Sequence, residues 1–176
     1  MEIALTGIRK HYGPIRANDG ISLTVGAGTI HGILGENGAG KSTLMKILAG
    51  FIPRTAGTIR VDGLPVDRDT PARAAAVGIG MLYQEPLDFP LLSVLENFRL
   101  GRDAPDTADV HAMAWLESLS QTLKFDLDPF STLRTLTVGE RQQLEILRLL
   151  SLGVRTLILD EPTTGISATQ KALLFY

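Results

Sequence analysis

Hydrophobic and polar positions change period several times along this chain, and each change predicts an element. Ile3, Leu5 and Ile8 approximate one face of a strand, while Ile21, Leu23 and Val25 alternate with polar neighbours, so short antiparallel strands are expected first. Residues 30–34 form an apolar run that reads as a strand, and residues 44–49 carry a helix-like pattern that stops at Gly50. Residues 58–61 predict another strand, followed by the hairpin-turn pair Asp62-Gly63. Thr70-Pro71 places an N-cap before a proline at the first helical position, and Gly78 ends that short helix. Residues 79–83 return to strand and deliver Gln84 at its end.

From residue 86 to residue 152 the pattern is helical. Ser93 and Glu96 form a capping-box pair. Asp109 is placed to cap a helix whose apolar positions are Val110, Met113, Leu116, Leu119 and Leu123. Trp115 lies on a neighbouring stripe, where core packing is the expected role. Thr137 and Glu140 form a second capping box, opening a helix over residues 141–150. Residues 156–159 are a short apolar run typical of a buried parallel strand, and Asp160 and Glu161 follow it. A strand, loop and helix at one end and a strand ending in carboxylates at the other imply an α/β core. Residues 1–85 and 153–176 are expected to form that core, with residues 86–152 as a helical insertion.

Composition narrows the classes. The chain has 176 residues, 44% hydrophobic and 20% charged, an ordinary globular balance for one domain. Net charge is −2 and no segment is strongly basic, so a nucleic-acid surface is not suggested. Without cysteine there is no disulfide, thiolate catalyst or Cys-ligated metal. His11, His31 and His111 lack ligand-like spacing and read as surface or packing residues. No signal peptide is visible. The most apolar stretch, residues 144–159, is broken by Glu145, Arg148 and Arg155, so no membrane span is expected.

The strongest chemical signal is residues 35–43, Gly-Glu-Asn-Gly-Ala-Gly-Lys-Ser-Thr, which fit G-x-x-x-x-G-K-[ST] between the strand-like and helix-like runs. Glycines let the main chain curl around an anion with its N–H groups inward, and the helix beginning at Lys41 presents its positive end to the same anion. Lys41 adds a mobile charge for the outer phosphates of a nucleoside triphosphate, and the Ser42 hydroxyl can ligate Mg²⁺. Asp160 and Glu161 are the second signal. Like charges about 4 Å apart repel by roughly 4 kcal/mol at an effective dielectric near 20, so two carboxylates beside a polyphosphate require a divalent cation. Successive strand residues point to opposite sides, so the two acids need not share one job; Asp160 is assigned to Mg²⁺ through water, and Glu161 to polarising an attacking water as general base.

With these landmarks the chain resembles the nucleotide-binding domain of ABC transporters, in the family's order over nearly its whole length. Tyr12 stands where that family has an aromatic stacking on adenine. Residues 35–43 (Gly35, Glu36, Asn37, Gly38, Ala39, Gly40, Lys41, Ser42, Thr43) match its Walker A loop, and Gln84 matches its Q-loop, which contacts Mg²⁺ and the attacking water and senses the membrane subunit. Residues 136–140 stand in place of its LSGGQ signature, with Thr137 and Gly139 kept in character and Val138 and Glu140 replacing glycine and glutamine. Residues 157–161 match Walker B with its catalytic glutamate. The altered signature, and Ser167 where many relatives carry aspartate, resemble the simple-sugar and nucleoside importer branch.

The resemblance implies a phosphate-loop NTPase core, a mostly parallel sheet with flanking helices, plus an N-terminal antiparallel β subdomain and an inserted helical subdomain. It implies ATP and Mg²⁺ as ligands, with Lys41, Gln84 and Glu161 catalytic and Ser42, Gln84 and Asp160 at the metal. Thr137, Val138, Gly139 and Glu140 would face the γ-phosphate held by a second copy, with Glu140 turned back onto its own helix. Implied partners are a second nucleotide-binding domain (homodimer or tandem copy), membrane permease subunits and, indirectly, an extracytoplasmic solute-binding protein. The implied location is cytoplasmic, at the inner face of the membrane. The family's switch histidine lies one strand beyond Glu161, so the chain reads as C-terminally truncated. A nucleotide-binding module without turnover and a soluble ABC-type ATPase are the alternatives. Residues 87–91 read equally as a relay to the membrane subunit or as a tucked loop anchored by Phe89.

Overall fold

The computed structural model describes residues 1–67, 70–83, 86–101 and 109–160. These divide between two compact units, Met1–Met81 with Val154–Ile158, and Leu82–Gly153 with the residues from Leu159 onward.

The first unit is built on a four-stranded antiparallel sheet ordered β2-β1-β3-β4, where β1 is Ile3–Tyr12, β2 Ile15–Val25, β3 Ala56–Val61 and β4 Leu64–Pro65. The spacing Ile3, Leu5, Ile8 is one residue out of strict alternation, and a bulge explains it. Leu5 pairs with Leu23 and Ile8 with Ile21, so β1 carries an extra residue between them. The Gly7 amide in the bulge donates to the Ser22 hydroxyl at 2.9 Å. All three apolar residues are thereby buried. β3 and β4 are joined through Asp62 (φ 48°) and Gly63 (φ 78°), the doubly left-handed turn whose twist suits a two-residue hairpin. α1 (Lys41–Leu48) buries Leu44, Ile47 and Leu48. In α2 (Pro71–Ala76) the Thr70 side chain caps the helix by accepting from the Arg73 amide.

One expected element is missing. Residues 30–34 form no strand, and Ile30 and Leu34 are 74% and 95% exposed. Apolar β-branched residues favour an extended backbone, but a strand also needs a neighbour to accept its ladder bonds. Among the described residues none pairs with this run.

A second sheet pairs β5 (Ile79–Leu82) with β6 (Thr156–Leu159). The Thr156 amide donates to the Gly78 carbonyl and the Asp160 amide to that of Leu82, so the strands run parallel. β5 is buried throughout, whereas β6 fully buries only Ile158. The chain is therefore α/β, with an antiparallel sheet preceding a parallel pair.

In the second unit α3 (Val94–Arg99), α4 (Asp109–Leu123) and α5 (Val138–Ser151) pack against one another, with Phe98, Leu116, Leu133, Ile146 and Leu147 at most 1% exposed. Ser93 and Glu96 make the reciprocal capping box that starts α3. Trp115 departs from expectation. It is 46% exposed, because the inward face of α4 is set by Ala112, Leu116 and Leu123, and Trp115 lies off that stripe.

Candidate functional site

The phosphate loop turns over residues 37–40, with the Ala39 amide donating to the Glu36 carbonyl at 3.2 Å. Gly40 is left-handed (φ 88°) and ends the loop at the N-cap of α1. No side chain caps that helix and no acid stands in its first turn, so no anion of the helix's own start competes for its positive end. The Lys41 ammonium folds back over the loop and donates to the carbonyls of Gly35 (2.6 Å) and Glu36 (2.8 Å). Glu36, Asn37, Gly38, Ala39 and Ser42 face solvent, while Gly40, Lys41 and Thr43 are half-buried. A curled main chain, an uncapped helix start and an ammonium are groups that can together hold a polyphosphate.

From β2, Asn18 reaches this loop and donates from Nδ2 to the Gly40 carbonyl at 3.2 Å. The sequence pattern did not single it out. Its neighbours Arg16, Asp19 and Gly20 give no burial signal, yet it is 5% exposed. Tyr12, at the end of β1, leaves a ring 47% exposed, with the Lys10 ammonium 4.8 Å from its centroid.

The second unit holds the signature residues. Thr137 caps α5, and the Glu140 carboxylate turns back to accept from both the Thr137 amide (2.7 Å) and hydroxyl (2.8 Å). Those bonds, the amide's first, hold its carboxyl below the ordinary range. Val138 is half exposed beside them. Arg141, one residue on, grips Asp88 bidentately, Nε to Oδ2 at 2.6 Å and Nη2 to Oδ1 at 2.7 Å. Phe89 anchors its loop by backbone rather than ring. Its amide and carbonyl both bond the Asn97 side chain, while the ring is 59% exposed.

Asp160 ends β6, half-buried. The Tyr83 phenol is pushed above its ordinary range by burial first, and then by the negative charge of Glu145 and Asp160. Glu145 sits on α5, 5% exposed, and burial pushes its carboxyl up to about 7, against the pull of Arg148 and the Leu87 amide. The sequence signal for it was an acid set between Leu144 and Ile146, with Arg148 one turn on. Gln84, Glu161 and Ser167 lie outside the described residues.

A pH dependence follows from Glu145. Its folded pKa, about 7, exceeds the usual 4.5, so between those values the folded state keeps a proton the unfolded chain has lost. Its contribution is fully present below about pH 4.5, is lost as pH rises to about 7, and totals on the order of 3 kcal/mol. Glu145→Gln is expected to flatten that decline and to be more stable than wild type at pH 8. Urea melts across pH 5–8 measure it, and an unchanged slope contradicts the assignment.

The sequence matches the ABC transporter family over residues 18–164. The chain belongs to that family. Among curated relatives, it is 40% identical over 181 residues to "Ribose import ATP-binding protein RbsA 2" of Burkholderia pseudomallei (strain 1710b). It is 41% identical over 177 residues to the protein of the same name from Streptomyces avermitilis (strain ATCC 31267). Each match covers 98% of this chain but 35% of the relative, so the chain spans about a third of their length. Among solved structures, the ADP conformation of MJ1267, an ATP-binding cassette of an ABC transporter, superposes with a TM-score of 0.79 at 25% identity, covering 99% of this chain and 74% of that one. The phosphate-loop NTPase fold of ABC cassettes is thereby established for this chain.

Proposed function

We propose that this chain is the nucleotide-binding part of an ABC importer's ATP-binding subunit, which binds and hydrolyses MgATP to drive uptake of a solute such as a sugar or nucleoside. The observation that carries it is the Lys41 ammonium poised on the carbonyls of an exposed, glycine-turned loop at an uncapped helix start. The names of the relatives above, ribose import ATP-binding proteins, support the substrate class.

In this reading residues 35–43 cradle the phosphates with main-chain N–H groups, and Lys41 exchanges its loop carbonyls for the outer phosphates. Tyr12 offers a ring face to the adenine. Ser42, Gln84 and Asp160 would hold Mg²⁺, which when bound neutralises charge on the outer phosphates. Glu161 takes the proton from the attacking water and Gln84 helps orient that water. Thr137 and Gly139 serve a partner domain's nucleotide, and Glu140, held on its own helix, keeps its charge occupied. Residues 86–152 would relay closure to a permease subunit, with Leu87 and Leu91 among their exposed apolar residues. No helix of the described residues is long and apolar enough to cross a membrane, so the proposed seat is peripheral, at the membrane's inner face. The relay would reach an extracytoplasmic solute-binding protein only through the permease.

Lys41→Ala tests the reading. It is expected to weaken MgATP affinity at least about a hundredfold, as loss of two charge-assisted bonds implies. Isothermal titration with MgATP measures this. Wild-type affinity in the variant would sink the proposal, and phosphate release assayed alongside separates binding from turnover.

A further inference from the structure

We propose that Asn18 is a positioning residue for the nucleotide. Its side-chain amide fixes where the phosphate loop becomes α1, and so sets how tightly the loop grips a triphosphate. The proposal rests on the nucleotide-binding reading above and adds a residue to it.

Three observations converge on this position. The Nδ2 group donates to the Gly40 carbonyl, which also accepts the first helical bond of α1, from the Leu44 amide at 2.9 Å. One carbonyl thus joins the β2 strand, the loop and the helix. Next, the fit is close. A Cβ built on Gly40 would lie 2.2 Å from the Ala17 carbonyl oxygen and 2.8 Å from Asn18 Nδ2. β2 therefore presses on the last residue of the loop at a distance only glycine allows. Finally, Asn18 Oδ1 is buried and has no hydrogen-bond partner among the described residues. Turning the amide over does not cure this, since Oδ1 would then face the Gly40 oxygen, acceptor against acceptor.

A buried acceptor without a donor lowers stability, and a leucine, of the same branched shape with no polar atom, would avoid that loss. Asparagine at this position is therefore poorly explained by packing. Its N–H bond to Gly40 is what it supplies, and that bond acts on the backbone that precedes Lys41. When the loop rearranges around phosphates, Asn18 holds its exit in place and the Lys41 ammonium swings from a fixed base.

The experiment uses the whole chain, with wild type, Lys41→Ala, Asn18→Leu and Asn18→Asp compared by thermal melting and MgATP titration. Asn18→Leu is expected to melt at or above the wild-type temperature yet bind MgATP about tenfold more weakly, opposite signs that a purely structural residue would not give. Binding within twofold of wild type, while Lys41→Ala loses it, overturns the proposal. Should Asn18→Leu fail to fold, Asn18→Asp decides. A carboxylate cannot donate to Gly40, but a protonated carboxyl can, so its affinity relative to wild type should recover from pH 8 to pH 5. A ratio that does not move with pH overturns the proposal. Lys41→Ala binding as well as wild type would instead refute the nucleotide reading itself.

Discussion

Gly40→Ala is expected to abolish MgATP binding and to lower the stability of the first unit by on the order of 3–5 kcal/mol. The added methyl would lie 2.2 Å from the Ala17 carbonyl oxygen and 3.3 Å from its carbon. Both are backbone atoms of Ala17, the extra residue that β2 carries between the pairs His11↔Arg16 and Lys10↔Asn18. Ala17 is held by paired neighbours on both sides, so relieving the clash strains those pairs or moves the loop. Moving it displaces the uncapped start of α1 and the lysine beside it. The left-handed φ of 88° adds about 1–2 kcal/mol for any residue with a Cβ. Gly38→Ala is the control. It shares a left-handed backbone (φ 83°) but has nothing within 4 Å of the new methyl, so only the conformational cost applies. Denaturant melts of the two variants measure the difference in stability, and MgATP titration of Gly40→Ala measures the loss of binding. Equal losses would mean that the close approach of β2 is unimportant.

Asp88→Ala is expected to destabilise the second unit by about 2–3 kcal/mol, less than a fully buried pair because the Arg141 side chain remains 25% exposed. The aspartate side chain is only 10% exposed and accepts both arms of the guanidinium. Removing it leaves that cation half-buried without its carboxylate. Relief at Glu145 offsets part of the loss, since the Asp88 charge raises the Glu145 carboxyl further. Arg141→Ala should cost a similar amount, and the double variant should cost less than the sum. A double-mutant cycle from urea melts reads the coupling; additive losses would show that the contact contributes nothing of its own. The bond also tethers residue 88, four beyond Gln84, to the first turn of the helix that Thr137 caps, so weakening it should loosen the proposed relay.

Local chemistry was legible where it is self-contained. Thr70-Pro71, Ser93/Glu96 and Thr137/Glu140 make their caps within three residues, and Asp62-Gly63 closes a hairpin with its own dihedrals, so short-range spacing sufficed. The turn before α1 was legible for the same reason, with Lys41 reaching back only five and six residues to its carbonyls. What was missed depends on partners distant in sequence. The 30–34 run carries strand propensity but meets no pairing backbone among the described residues. Asn18 finds its acceptor 22 residues away, and Asp88 its cation 53 residues away. Trp115 shows the limit of size as a guide, since on α4 the face that a large ring occupies decides its burial.

Because the Lys41 ammonium bonds the Gly35 and Glu36 carbonyls, those oxygens and the phosphates of the proposed nucleotide would compete for one charge. Apparent affinity would then be the intrinsic grip divided by one plus the latch's closed-to-open ratio, so once closed dominates, each further tenfold takes away about tenfold in binding. Strengthening the latch yields a tidier resting state and a poorer nucleotide trap.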